Sequence, residues 1–139
     1  MKLEVGMYVR TKDGHIDKIK NIDVDWYCLD GDKEETLHKV YQLNNLYYDN
    51  YFDEENDWVS ETFIVNASYS IIDLIKLGDY VNGYPVTEIT NVNNRIYEVK
   101  VKKPNNRTGV WIENIKKNED IKSILTDEQF KNMEYRIGE

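Results

Sequence analysis

The chain has 139 residues, a net charge of -8 and 40% hydrophobic residues, enough apolar matter for a core without staples. Its lone cysteine, Cys28, excludes an intramolecular disulfide and a cysteine-built zinc site, and no apolar run approaches the roughly 20 residues of a membrane span. The 11 Tyr, 3 Trp and 3 Phe argue against disorder despite the charge.

In chain order, the pattern predicts strands over Tyr8 to Thr11 and His15 to Ile22, joined across Lys12-Asp13-Gly14, where Asp-Gly is a hairpin signal. Asp23 to Leu29 and Glu34 to Leu43 flank a second such turn at Asp30-Gly31. Tyr47 to Phe52 and Asp57 to Asn66 bracket an acidic turn, Asp53 to Asn56. Ser70-Ile71-Ile72-Asp73 reads as a capping box opening one helical turn before Gly78. Strands are expected again over Asp79 to Asn82, then, past a turn at Gly83-Tyr84-Pro85, over Val86 to Val92, Arg95 to Val101 and Val110 to Ile115. Thr126-Asp-Glu-Gln129 is a second capping box, for a helix over Asp127 to Met133, and Tyr135 to Ile137 reads as a closing strand.

One phrase occurs twice. Leu3-Glu-Val-Gly6-Met-Tyr8-Val9 returns as Ile75-Lys-Leu-Gly78-Asp-Tyr80-Val81, and beyond it Ile16, Ile19 and Ile22 align with Val86, Ile89 and Val92. A Gly-led hairpin used twice predicts a mainly β protein of two related small SH3-like barrel lobes, residues 1–69 and 70–139, with a short connector helix and a C-terminal helix. Such a repeated unit is a scaffold for binding.

The charge is regional. From Asp23 to Trp58 eleven acids face Lys33 and Lys39, a local net of -9, whereas the rest of the chain holds 15 acids and 16 bases. The same stretch contains Trp26, Tyr27, Tyr41, Tyr47, Tyr48, Tyr51, Phe52 and Trp58. Carboxylates interleaved with rings would let Asp30, Asp32, Glu34, Glu35, Tyr51, Asp53, Glu54, Glu55, Asp57 and Trp58 bind a partner that itself holds nucleic acid. The competing reading is a solvated acidic face with the rings in the core. Opposite charge gathers at Lys100, Lys102, Lys103 and Arg107, a loop able to hold phosphate or to serve as a solvated hairpin tip.

Catalytic and metal sets are not legible. His15 and His38 lie outside any His-x-x-x-His or His-x-Glu spacing. Asp30, Asp32 and Glu34 match the start of a calcium loop, but Glu35 replaces its glycine and Tyr41 its bidentate Glu. Phosphate-loop, nucleophile-elbow and dinucleotide fingerprints are missing, so no cofactor and no metal are expected. Cys28 has no neighbouring cation to activate it, and Asn66-Ala-Ser68 and Asn106-Arg-Thr108 have no secretory context.

Ile71 to Tyr84, the tail Asp120 to Phe130 with Met133-Glu134-Tyr135, and the opening Val5 to Lys12 with Gly14 and Ile16 resemble a family of small phage and prophage proteins of Gram-positive bacteria, clostridial relatives in particular. The family brings no assigned catalytic residues, and the stretch from Asp23 to Trp58 is outside the resemblance. The resemblance implies a mobile-element setting in the host bacterial cytoplasm, where small acidic proteins often inhibit host defence, anti-CRISPR proteins among them. The expected function is therefore a non-enzymatic inhibitor that mimics nucleic acid on a defence effector. The alternatives are a nucleic-acid-binding or assembly module, or a sponge or hydrolase of a nucleotide signal. Uneven charge along the chain also suits a homodimer.

Overall fold

The computed structural model describes residues 2–27, 34–44, 58–104, 107 and 109–133. Among the described residues it is mainly β, with two antiparallel five-stranded sheets, one of them curled into a half-barrel, and one α-helix near the C-terminus. The chain divides into two compact units, residues 1–69 and 70–139.

The first unit contains β1 (Tyr8–Thr11), β2 (Ile16–Tyr27), β3 (Thr36–Leu43), β4 (Trp58–Ser60), a 3-10 turn at Glu61–Phe63 and β5 (Ile64–Ser68). The second contains a 3-10 turn at Ile71–Leu74, β6 (Tyr80–Val81), β7 (Tyr84–Val92), β8 (Arg95–Lys103), β9 (Trp111–Ile115), a 3-10 turn at Asn118–Asp120, β10 (Ile124–Leu125) and α1 (Asp127–Met133). The strand orders, β4-β3-β2-β1-β5 and β10-β6-β7-β8-β9, are one topology used twice. In each, four strands meander, a 3-10 turn follows the fourth, and the fifth returns to pair with the first, as in small SH3-like barrels.

The likeness extends to single hydrogen bonds. Met7 N–H donates to Glu4 O at 3.2 Å and Ile19 N–H to Met7 O at 2.8 Å; in the second unit Asp79 N–H donates to Lys76 O at 3.2 Å and Val86 N–H to Asp79 O at 2.9 Å. Tyr8 and Tyr80 are thus equivalent. Past Ile19, which opposes Leu43, the register slips one residue before Asn21 meets Gln42; past Val86, which opposes Val101, it slips likewise before Glu88 meets Lys100. A bulge of this kind bends a long strand so that it serves both layers of a small barrel. The cores correspond as well: Leu3, Val9, Ile19, Tyr41, Leu43 and Val59 stand where Ile75, Val81, Val86, Val99, Val101 and Ile115 stand, all of them buried. Equivalence in the second strand is Ile19 with Val86, not with Ile89 as the aligned apolar residues suggest. The hairpin of the second unit is five residues shorter, since Val9 faces Asp17 across its turn while Val81 faces Tyr84 across its own.

Six further expectations need correction. The single strand expected up to Asn66 is two, β4 and β5, parted by the 3-10 turn at Glu61–Phe63, and β10 was not expected. β2 does not stop at Ile22 but runs unbroken to Tyr27, because Asp23 and Asp25 accept hydrogen bonds from the next N–H, at Val24 and Trp26, each at 2.8 Å. β3 begins at Thr36, not at Glu34. The turn after β6 is Asn82-Gly83, both at positive φ (55° and 85°), so Tyr84 and Pro85 already belong to β7. Ser70 makes no capping bond, and Ile71–Leu74 is a 3-10 turn. The Ser70 hydroxyl lies 3.0 Å from Asn118 Oδ1, which also accepts the N–H of Ile72 at 3.2 Å.

The capping box at Thr126 forms in both directions. Thr126 N–H donates to Gln129 Oε1 at 3.1 Å and Gln129 N–H to Thr126 Oγ1 at 3.3 Å, opening α1 at Asp127 as expected. The expected Asp30-Gly31 turn, the strand Tyr47 to Phe52, the turn Asp53 to Asn56 and the strand Tyr135 to Ile137 lie outside the described residues.

Candidate binding surface

β2 and β3 pair from Ile19–Leu43 out to Tyr27–Thr36. β1 pairs with β2 only over Ile16 to Lys18, and β4 with β3 only over Val40 to Gln42. Beyond these points the hairpin is a two-stranded ribbon, with no described strand on either side.

Side chains on a strand alternate between faces, and directly opposed residues of an antiparallel pair share a face. Ile22 and Tyr41 therefore point the same way, into the core. Outward along that face come Val24 with Lys39 and Trp26 with Leu37. The core-facing stripe runs out past its core: Val24, Trp26 and Leu37 keep 52%, 60% and 51% of their surface in solvent. The carboxylates of Asp23 and Asp25 fold back onto the edge N–H groups of β2 and line that edge with negative charge. Glu34 and Glu35 are exposed at the foot of β3. Acidic and apolar groups thus alternate over one short ribbon.

The second unit covers its counterpart hairpin with its own chain. The turn Ile71–Leu74 packs beside β8, burying Ile72. Asp73 Oδ1 accepts the N–H of Ile96 at 3.0 Å, and its other oxygen lies 3.5 Å from the Arg95 guanidinium. Ile96 corresponds to His38 of the first unit, in the ribbon described above.

Of the acidic and aromatic residues singled out by the sequence, Glu34 and Glu35 immediately precede this ribbon at its exposed end. Trp58 is half-buried on β4, opposite Gln42. Asp30, Asp32, Tyr51, Asp53, Glu54, Glu55 and Asp57 lie outside the described residues. The sequence reading named Trp26 among the rings of the acidic stretch but did not single out Val24 or Leu37 as a surface. The signal was present in the alternation Ile22, Val24, Trp26.

The basic residues of the second unit are largely paired. Lys100 lies 3.7 Å from Glu88 and 3.9 Å from Glu98, and Lys116 lies 3.4 Å from Glu98. Lys103 is ion-paired with Glu113 and sits 4.9 Å above the Tyr84 ring. Its hydrogen bond to Glu113 holds its pKa above the ordinary lysine value. Lys102 and Arg107 are exposed. A separate shallow groove of about 400 Å³ is lined by Asp73, Arg95, Tyr97, Lys116 and Asn118 among others.

His15 Nε2 lies 3.4 Å from Asp17 Oδ2, but the Thr11 hydroxyl beside them donates to Asp13, so the trio does not form an activated nucleophile. His38 contacts the Thr36 hydroxyl. Among the described residues no three His, Cys, Asp or Glu side chains gather as a metal site, and no helix is long and apolar enough to cross a membrane. Comparison of the chain with protein-family models, curated proteins and solved structures finds no match.

Proposed function

We propose that the protein is a non-enzymatic binding protein that docks the acidic, apolar-striped β2–β3 ribbon on the basic, nucleic-acid-binding surface of another protein. The observation that carries this reading is the run-out of the core stripe at Val24, Trp26 and Leu37 between Asp23, Asp25, Glu34 and Glu35. A two-stranded ribbon is marginal in water by itself. An exposed Trp–Leu pair supplies the flat apolar anchor of a binding hot spot, and the surrounding carboxylates steer it toward cationic surfaces.

The phage setting implied by the family resemblance makes a bacterial defence effector, such as a CRISPR nuclease, the partner class to test. In this reading the protein is an inhibitor that occupies the groove otherwise filled by guide RNA or DNA.

The test is binding of the purified protein to purified effectors. Affinity should fall as salt rises, fall again when DNA or guide RNA competes, and be lost when Asp23, Asp25, Glu34 and Glu35 are changed together to Lys. Equal affinity of the reversed variant would sink the reading. Depletion or cleavage of a cyclic nucleotide with no effector present would replace it with the sponge or hydrolase alternative.

A further inference from the structure

β9 ends the sheet of the second unit, and no described strand pairs with its outer side. An open edge presents unpaired N–H and C=O groups, which proteins ordinarily guard by shortness, charge or cover. The equivalent edge of the first unit, β4, is three residues long and buries Val59. β9 is five residues long. Its neighbours Trp111 and Ile112 point to opposite faces of the sheet, yet remain 57% and 47% exposed. Apolar surface therefore meets water on both faces of one open edge.

We propose that β9 is the pairing edge of a homodimer, joined antiparallel to β9 of a second copy. Charge favours this occupant and this unit. Residues 70–139 hold eleven acids and eleven bases, so two such units approach without net repulsion; residues 1–69 hold fifteen acids and seven bases and repel their like.

The pairing geometry narrows further. A two-fold axis that joins two edges into one continuous sheet stands normal to that sheet, so each face of one copy continues the same face of the other. Opposed residues then share odd or even numbering, and the ladder is centred on a residue. Centring on Glu113 would set two carboxylates opposite one another, which is unfavourable. Centring on Ile112 sets it against its own counterpart and Trp111 against Glu113 of the second copy.

Sedimentation and light scattering of the full chain test this directly, independently of the ribbon in the first unit. A dimer that dissociates on dilution is expected, shifted to monomer by Ile112→Lys or Asn114→Pro and retained by Trp26→Lys. In a Cys28→Ser background, Ile112→Cys should oxidise to a cross-linked dimer, because opposed Cα atoms about 4.5–5.5 Å apart are within disulfide reach; Asn93→Cys should not. A monomer at every concentration, or a dimer that Ile112→Lys leaves intact, overturns the proposal.

Discussion

Asp79, wholly buried, accepts the backbone N–H of Asp127 on Oδ1 at 2.9 Å and that of Lys76 on Oδ2 at 2.8 Å. One carboxylate thus fastens the turn before β6 to the first turn of α1, where helix N–H groups have no partner within the helix. Gly78 is confined by the same corner: at φ +94° it tolerates side chains poorly, and a Cβ there would lie 3.3 Å from Asp127 Cγ. Met7 occupies the equivalent place in the first unit, whose fifth strand leads into no α-helix.

Replacing Asp79 by Ala removes both charge-assisted bonds and is expected to cost about 2–3 kcal/mol. Asp79→Asn keeps one acceptor oxygen and should lose less. Urea denaturation followed by fluorescence measures both; equal stability of the wild type and the Ala variant would show that the carboxylate does not hold this corner.

Asn82 and Gly83 form one turn but should fail for different reasons. Asn82 Oδ1 accepts the N–H groups of Lys122 and Ser123 at 2.6 and 3.2 Å, and its Nδ2 donates to Asp120 O at 2.8 Å. Asn82→Ala strips three bonds that tie the turn to the segment entering β10, and should cost about 2–3 kcal/mol. Gly83→Ala meets no atom within 4 Å but retains φ +85°, a backbone penalty of about 1–2 kcal/mol. Thermal melts of the two variants should therefore rank Asn82→Ala below Gly83→Ala.

Stability should divide along the β2–β3 ribbon. Trp26→Ala, at the exposed end, should stay within about 0.5 kcal/mol of wild type, and reversal of Glu34 and Glu35 to Lys should change stability as little. Leu43→Ala, buried at the other end, should cost about 2–5 kcal/mol. Denaturation of the three variants gives the comparison. A large loss at Trp26 would make it a structural residue and remove it from the binding surface.

Two pairs should make stability depend on alkaline pH. The hydrogen bond to Glu113 raises the pKa of Lys103, and that to Glu4 raises the pKa of Tyr69. Each group binds its proton more tightly folded than unfolded, so its contribution is complete below the unfolded pKa, near 10, and is lost as pH rises through the folded value. Stability measured from about pH 9 upward should fall less steeply in a Lys103→Met, Tyr69→Phe double variant than in wild type. Parallel curves would show that neither pair contributes.

The doubled hairpin, the strands β6 to β9 and the helix at Asp127 were legible because each rests on local signals: Gly before Tyr-Val, period-two alternation, and a capping box of neighbours three residues apart. The features that escaped depend on distant residues. Ser70 looks like a cap until Asn118, 48 positions away, claims its hydroxyl. Asp23 looks like the start of a new strand because Asp is depleted in strands; paired to β3, it bonds the next N–H and β2 continues through it. The alignment of the two copies drifted because the first hairpin continues as paired strand past Val9 before it turns, whereas Val81 leads straight into Asn82-Gly83, and hydrophobic spacing alone does not reveal how far a hairpin extends. The ribbon escaped for the opposite reason. A stripe of alternating apolar residues looks the same whether or not a core extends beneath it.

Each sheet is completed by its own last strand, β5 on β1 and β10 on β6. During synthesis the first unit has its full set of strands once residue 69 has left the ribosome, while the second is still being made. Domains generally fold as units, N-terminal first, and closing strands drawn from distant sequence are slow to pair. Two frames of one topology in a single chain can pair with each other's strands, and this order of completion works against it: β5 is available to β1 before β6 emerges.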